Sequence, residues 1–235
     1  MEKRNEVMTY DWQKVKLVAI TQPDIDNEQG IKINAEEFIA YCARVSNKSN
    51  QMNVQTANKL LKYCITNNHW SIFEMVSLTM EIETTRDIGR QILRHRSFSF
   101  QEFSQRYAES GEEFPDKDMR ECRLQDMKNR QNSLETDNDM LRMNWLLAQT
   151  RVQEIALREY NWAIKAGIAK EVARSILAEG LTMSRIYMSG TLRSWIHYCQ
   201  LRMENGTQKE HQDIADKCWN ILLEKFKFLK DLKNE

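Results

Sequence analysis

The chain is short of the residues that interrupt regular structure, with two prolines and seven glycines in 235 residues. A turn-rich all-β fold needs more of both, so long helices are favoured. Charge of one sign is missing too, because 34 Lys and Arg offset 34 Asp and Glu. A general nucleic-acid binder carries a basic surplus, so nucleic acid is not expected as a partner and only a local basic pocket remains open. No apolar run is long enough to span a bilayer. The opening Met1-Glu2-Lys3-Arg4-Asn5-Glu6 leads into polar sequence rather than a secretory leader. The expectation is a soluble, intracellular (cytoplasmic) protein with no membrane partner. The five cysteines (Cys42, Cys64, Cys122, Cys199, Cys218) include no Cys-x-x-Cys pair and are odd in number. Free, mostly buried thiols in a reducing compartment follow. The histidines at 69, 95, 197 and 211 show no metal-ligand spacing, so no metal is expected. There is no Rossmann glycine fingerprint.

What the chain does have is the run Arg94-His95-Arg96-Ser97-Phe98-Ser99-Phe100-Gln101-Glu102-Phe103-Ser104-Gln105-Arg106-Tyr107. Three bases precede a hydroxyl-rich stretch, a carboxylate and Ser-x-Arg-Tyr, with three phenylalanines threaded through. A solvated basic tail would not carry so many aromatics. Guanidiniums beside hydroxyls suit a phosphate monoester or diphosphate, as planar forks for charged oxygens with neutral donors between them. The plain alternative is a charged helix end, with Arg94 and Arg96 near a C-terminus that favours cations.

Along the chain, Val15–Ile20 reads as a strand. Asn34 with Glu37 three residues on forms a capping box that opens a helix ending near 44–47. A second helix is expected over 54–66, then a polar-aromatic loop, His69 to Met75. Strict alternation over Val76–Glu83 predicts a half-buried strand. Thr85 is read as the cap of a helix running through Leu93 into the central motif and ending in Arg94-His95-Arg96. Residues 108–139 read as a polar surface insert. Helical spacing predicts a long helix over 139–166, broken at Gly167, with Trp145, Tyr160 and Trp162 in a core or interface. A helix over 169–177 ended by Gly180, a strand from Leu181 to Met188, a helix from Ser189 or Gly190 to Arg202, and a final helix from about Gln208 complete the order. On the penultimate helix Arg193, His197 and Arg202 are read as sharing one side.

Arg-His-Arg, seven residues, then Ser-x-Arg-Tyr resembles the signature of the flavin-dependent thymidylate synthases. His69, Ser71 and Glu74 match that family's segment one strand earlier. Glu171-Val172-Ala173-Arg174 and the block from Arg193-Ser194-Trp195-Ile196-His197-Tyr198 to Leu201-Arg202 resemble its C-terminal signatures. A family proline after Arg174 is replaced by Leu177 and Ala178, and a family asparagine by Thr191. The resemblance implies one α+β (α/β) domain over 1–235, with a mainly antiparallel sheet flanked by long helices. It also implies reductive methylation of dUMP to dTMP by an FAD-dependent methyltransferase, with methylenetetrahydrofolate and NADPH as co-substrates, in a homotetramer whose subunits share sites. By the same resemblance Gln91, Ile92, Leu93, Arg94, Glu102, Phe103, Ser104, Gln105, Arg106, Arg174 and Arg202 contact dUMP. Ser71, Arg94, His95, Arg96, Glu102, Thr191, Leu192, Arg193 and His197 contact FAD. Arg202 is read as the activating group, since a guanidinium against uracil favours the N3-deprotonated ring. Ser104 is the other catalytic candidate. Without a Ser-His-Asp arrangement to take its proton, positioning ranks above nucleophilic attack.

Overall fold

The computed structural model describes residues 12–109 and 119–234. Four strands form the central sheet: β1 (Lys14–Ile20), β2 (Ser77–Thr85), β3 (Ser99–Glu102) and β6 (Met183–Thr191), in the order β1-β2-β6-β3. Every pairing is antiparallel. The expected mixed α+β fold with an antiparallel sheet is the one found.

The alternation in β2 sets the layers. Leu78, Met80, Ile82 and Thr84 point inward and are buried, as are Ile186 and Met188 on β6. Helices α1 (Ala35–Ala43), α2 (Ala57–Thr66), α3 (Arg86–Ile92), α6 (Leu192–Arg202) and α7 (Lys209–Lys225) contribute to this core. The opposite face is polar: Thr79 Oγ1 donates to Ser189 Oγ at 2.9 Å, and Arg185 pairs with Glu83 at 3.1 Å. The Asn34–Glu37 capping box forms in both directions. No helix among the described residues is long and apolar enough to cross a membrane.

Several boundaries differ from expectation for local reasons. The second helix begins at Ala57, and Val54 is exposed rather than on its apolar face. Thr85 stands at the N-cap of α3, but its hydroxyl donates to Asp87 Oδ1 at 2.7 Å instead of capping a backbone N–H. The short helix α5 (Lys170–Ala173) passes into a 3₁₀ turn at Arg174, and Gly180 lies within another 3₁₀ turn, Glu179–Leu181. Ser189 and Gly190 continue β6 rather than opening a helix; Thr191 is the cap of α6, its side chain accepting from Ser194 N. Glycine is needed at 190 because a Cβ there would lie 2.4 Å from the Phe98 ring. A turn-like Ser-Gly pair is thus a strand end shaved to admit an aromatic from the next loop.

The polar insert is not merely a solvated face. Its described part forms a hairpin, β4 (Arg123–Gln125) with β5 (Ser133–Glu135); residues 110–118 lie outside the described residues. Arg123 Nη2 reaches Glu210 Oε1 at 2.6 Å, and that carboxylate is fully buried. Arg120 Nη2 donates to Asp87 Oδ1 at 2.6 Å and Thr85 Oγ1 at 2.7 Å. The long helix α4 (Asp139–Lys165) has the expected extent. Tyr160 packs with Ala163 and Ala173, whereas Trp145 is 43% and Trp162 61% exposed, alongside exposed Val152 and Ile155.

Candidate active site

Three groups of residues from distant parts of the chain converge around the Arg94–Tyr107 run. The first hangs from α3. A Cβ on Gly89 would meet Ile186 Cδ1 at 3.0 Å, so the helix lies close on β6 and its last turn is fixed. The helix ends with Leu93 as C-cap, so Arg94 and Arg96 lie beyond it, in a turn closed by His95 N donating to Ile92 O at 3.1 Å. They are not the charged last turn of a helix. Phe98 anchors this turn edge-on against Trp195, ring centroids 4.8 Å apart. The chain then becomes β3, an element with no clear alternation to announce it.

Behind the turn lies a polar chain. Arg202 Nε donates to His95 Nε2 at 2.9 Å. His211 Nε2 is 3.1 Å from the Tyr198 hydroxyl, and its Nδ1 is 3.3 Å from Gln91 Oε1. Gln91 Nε2 in turn donates to Gln208 Oε1 at 2.8 Å. A guanidinium can only donate, so His95 Nε2 must accept and this imidazole is neutral. The Gln91 oxygen can only accept, so His211 carries its proton on Nδ1 and accepts from Tyr198. Burial, reinforced by the Arg202 charge, lowers His95 to about 4; burial, then Arg202 and His95, lowers His211 to about 3. Both folded values lie below the usual 6.5, so the unfolded chain binds more protons between those limits. Their contribution to stability is therefore complete above about pH 6.5 and lost as pH falls toward 4 and then 3. Melting temperatures taken from pH 7 to 4.5 are expected to fall, and less steeply in His211→Gln, which keeps a donor and an acceptor but does not titrate. Identical slopes for both proteins would contradict this.

The second group is at the start of α6. Arg193 pairs with Glu74 of the 3₁₀ turn Ser71–Glu74, and His197 stands edge-on to Trp70, centroids 4.4 Å apart. Ser71 is exposed on that turn. Arg202 does not join them: nine residues at about 100° each carry it to the other side of the helix, toward His95. The third group follows β3. Ser104 Oγ accepts from Arg106 N at 3.4 Å, and Arg106 pairs at 3.2 Å with Glu171 of α5, next to which Arg174 lies. Gln105 is buried and Phe103 half-buried. Ile92 and Leu192 are fully buried, which removes their side chains from contact with any ligand. Glu102 Oε1 accepts from Ser184 Oγ at 3.0 Å.

The charge pattern is distinctive. Among the described residues Arg94, Arg96 and Arg174 have no carboxylate partner, and the partner of Arg202 is a neutral imidazole. Uncompensated guanidiniums beside one another, as Arg94 and Arg96 are with Arg202 held at His95 between them, suit phosphate or another anion. The cavities beside Tyr41 and Arg44 and beside Asn58 and Lys225 involve none of these residues.

A family model described as thymidylate synthase complementing protein matches residues 31–226. The chain is 50% identical over 211 residues to a probable flavin-dependent thymidylate synthase of Paramecium bursaria Chlorella virus 1, covering 90% of this chain and 94% of the relative. It is 48% identical over 212 residues to the flavin-dependent thymidylate synthase of Synechocystis sp., covering 90% and 95%. This chain belongs to the flavin-dependent thymidylate synthase family. The family reading made on the Arg-His-Arg motif therefore holds, and with it the enzyme class, a methyltransferase, and a flavin as cofactor. A solved structure of the UMP/dUMP methylase PolB from Streptomyces cacaoi, bound with 5-Br dUMP, superposes with a TM-score of 0.74 over 92% of both chains at 24% identity, a likeness of fold.

For a flavin-dependent thymidylate synthase the donor set fits the flavin. Unpaired Arg94 and Arg96 suit its diphosphate, with Ser71 and His197 beside half-buried Trp70 and Thr191 and Arg193 at the start of α6 as further polar groups. Sequence reading gave no site role to Tyr198, His211, Gln208 or Ser184. His211 did leave a signal: it stands on the stripe of Ile214, Ala215, Cys218 and Leu222, all buried on α7. A histidine on an apolar stripe needs polar partners from elsewhere in the fold.

Proposed function

We propose that this enzyme converts dUMP to dTMP by reductive methylation, with methylenetetrahydrofolate as carbon donor and FAD, reduced by NADPH, as cofactor. The observation that carries the reading is the group of guanidiniums without carboxylates, with Arg202 held against a neutral His95. Arg94, Arg106 and Arg174 bind the monophosphate, helped by Ser104, Gln105 and backbone N–H groups over Gln91–Arg94 and Glu102–Arg106. Arg202 faces the uracil. Its Nε is committed to His95, which leaves the terminal nitrogens of the fork for the ring. A cation there stabilises the N3 anion and makes the ring a better carbon nucleophile. Ser104 positions rather than attacks, as its Oγ accepts from Arg106 N and, among the described residues, no histidine is hydrogen-bonded to it to take its proton. The flavin, when bound, supplies hydride chemistry. Arg94, His95, Arg96, Ser71, Glu102, Thr191, Arg193 and His197 hold and orient it. The exposed apolar residues of α4 support a homotetramer that covers them and shares sites between subunits. Five free thiols support a reducing, cytoplasmic setting.

The test is direct. The purified protein is supplied with dUMP, FAD, NADPH and methylenetetrahydrofolate, and dTMP is followed by mass. Product dependent on all four supports the reading; folded, flavin-loaded protein that makes none overturns it.

A further inference from the structure

Arg86 is the first residue of α3 and only 9% exposed. A cation in the first helical turn meets the positive end of the peptide dipoles, and burial takes away its water. Two adverse terms at one residue require an anion. Among the described residues that anion is Glu102, with Arg86 Nη1 3.5 Å from Glu102 Oε1. Ser184, fully buried on β6, donates to the same oxygen at 3.0 Å. The helix start cannot drift, because Arg120 grips Asp87 and Thr85 on either side of Arg86. A hydroxyl donor from one element and a guanidinium from another thus face Oε1. Oε2 has no hydrogen-bond partner among the described residues, and the Glu102 side chain is 23% exposed.

We propose that Arg86 is a positioning residue: with Ser184 it pins one oxygen of Glu102 so that the other faces the ligand as a fixed acceptor. This rests on the reading that Glu102 contacts the nucleotide or flavin. A carboxylate only accepts, so Oε2 recognises a hydroxyl or an imide N–H and turns phosphate away toward the guanidiniums. Glu102 thereby sorts the two ends of a nucleotide, and Arg86 acts through Glu102 without touching the substrate.

The experiment uses flavin-loaded enzyme and compares Glu102→Gln, Arg86→Met and the double variant. Dissociation constants for dUMP are taken by calorimetry and those for FAD by flavin fluorescence, alongside KM, kcat and melting. Arg86→Met is expected to raise KM and the dissociation constant for dUMP or FAD about tenfold, because Glu102, without its ion-pair partner, no longer holds one oriented charge-assisted hydrogen bond to the ligand. In the Glu102→Gln background the same change should add less than about twofold, because the two residues act as one unit. Arg86→Lys should recover part of the affinity. If Glu102→Gln leaves both affinities unchanged, Glu102 is not a ligand contact and the underlying reading fails. If Glu102→Gln weakens binding while Arg86→Met does not, or if the two losses multiply, the positioning role is overturned. A fall in melting temperature with unaltered KM would mark a structural role and also overturn it. Should Arg86→Met not fold, Ser184→Ala removes the other donor to Oε1 and is read by the same comparison.

Discussion

Arg202→Ala is expected to lower kcat for dTMP formation by about a hundredfold or more, with flavin content and melting temperature little changed. The size follows from removing one preorganised donor aimed at developing charge, which costs about 10²–10³ in rate. The fold should tolerate it, since Arg202 lies at the C-terminal end of α6 and is only half-buried. Arg202→Lys should restore little. An ammonium cannot give one N–H to His95 Nε2 and keep a planar fork for the ring. A second readout is independent of turnover: with the cation gone, the His95 value should rise from about 4, the Arg202 charge being the smaller of the two causes that depress it. A kcat within threefold of the parent would remove Arg202 from the chemistry.

The largest stability effect is expected at Arg123→Ala, about 3–5 kcal/mol, because breaking a buried ion pair strands the remaining charge. Glu210 is fully buried, its Oε1 is 2.6 Å from Arg123 Nη2, and its Oε2 has no hydrogen-bond partner among the described residues. Removing the arginine leaves a buried, unpaired carboxylate that pulls the first turn of α7 toward water. His211 is the next residue, so the disturbance should reach Gln91 and the site. Denaturant unfolding at fixed protein concentration measures the loss. Adding Glu210→Gln to Arg123→Ala should recover a good part of it, since the stranded charge is then gone. Equal stability of parent and Arg123→Ala would mean that the hairpin is not anchored as described.

Most of the fold was legible where residue type repeats with the period of the element. The alternation of β2 and the Asn34–Glu37 box needed only local chemistry. The errors fall where distant groups decide local conformation. Gly190 looks like a turn residue until Phe98 is set against it. Thr85 looks like a cap until Asp87 and Arg120 claim its hydroxyl. The insert looked solvated because nothing in its composition shows that Arg123 meets a buried acid far along the chain. In the candidate site, the Arg-His-Arg run was visible as a motif. The polar chain behind it was not, since Tyr198 and His211 stand on different helices and meet only when α6 and α7 pack. Arg202 was assigned to the wrong side of its helix because the ninth residue along was taken as nearly in phase with the first.

The contact between Phe98 and the bare backbone of Gly190 ties two positions together across the fold. Neither can vary alone. A side chain at 190 evicts the ring, and the ring is what seats the turn carrying Arg94, His95 and Arg96 beside Trp195. Among descendants of this chain a bulkier residue at 190 could persist only with a smaller one at 98, so the two sites are inherited as one character, and drift at a silent strand end becomes drift in the basic loop.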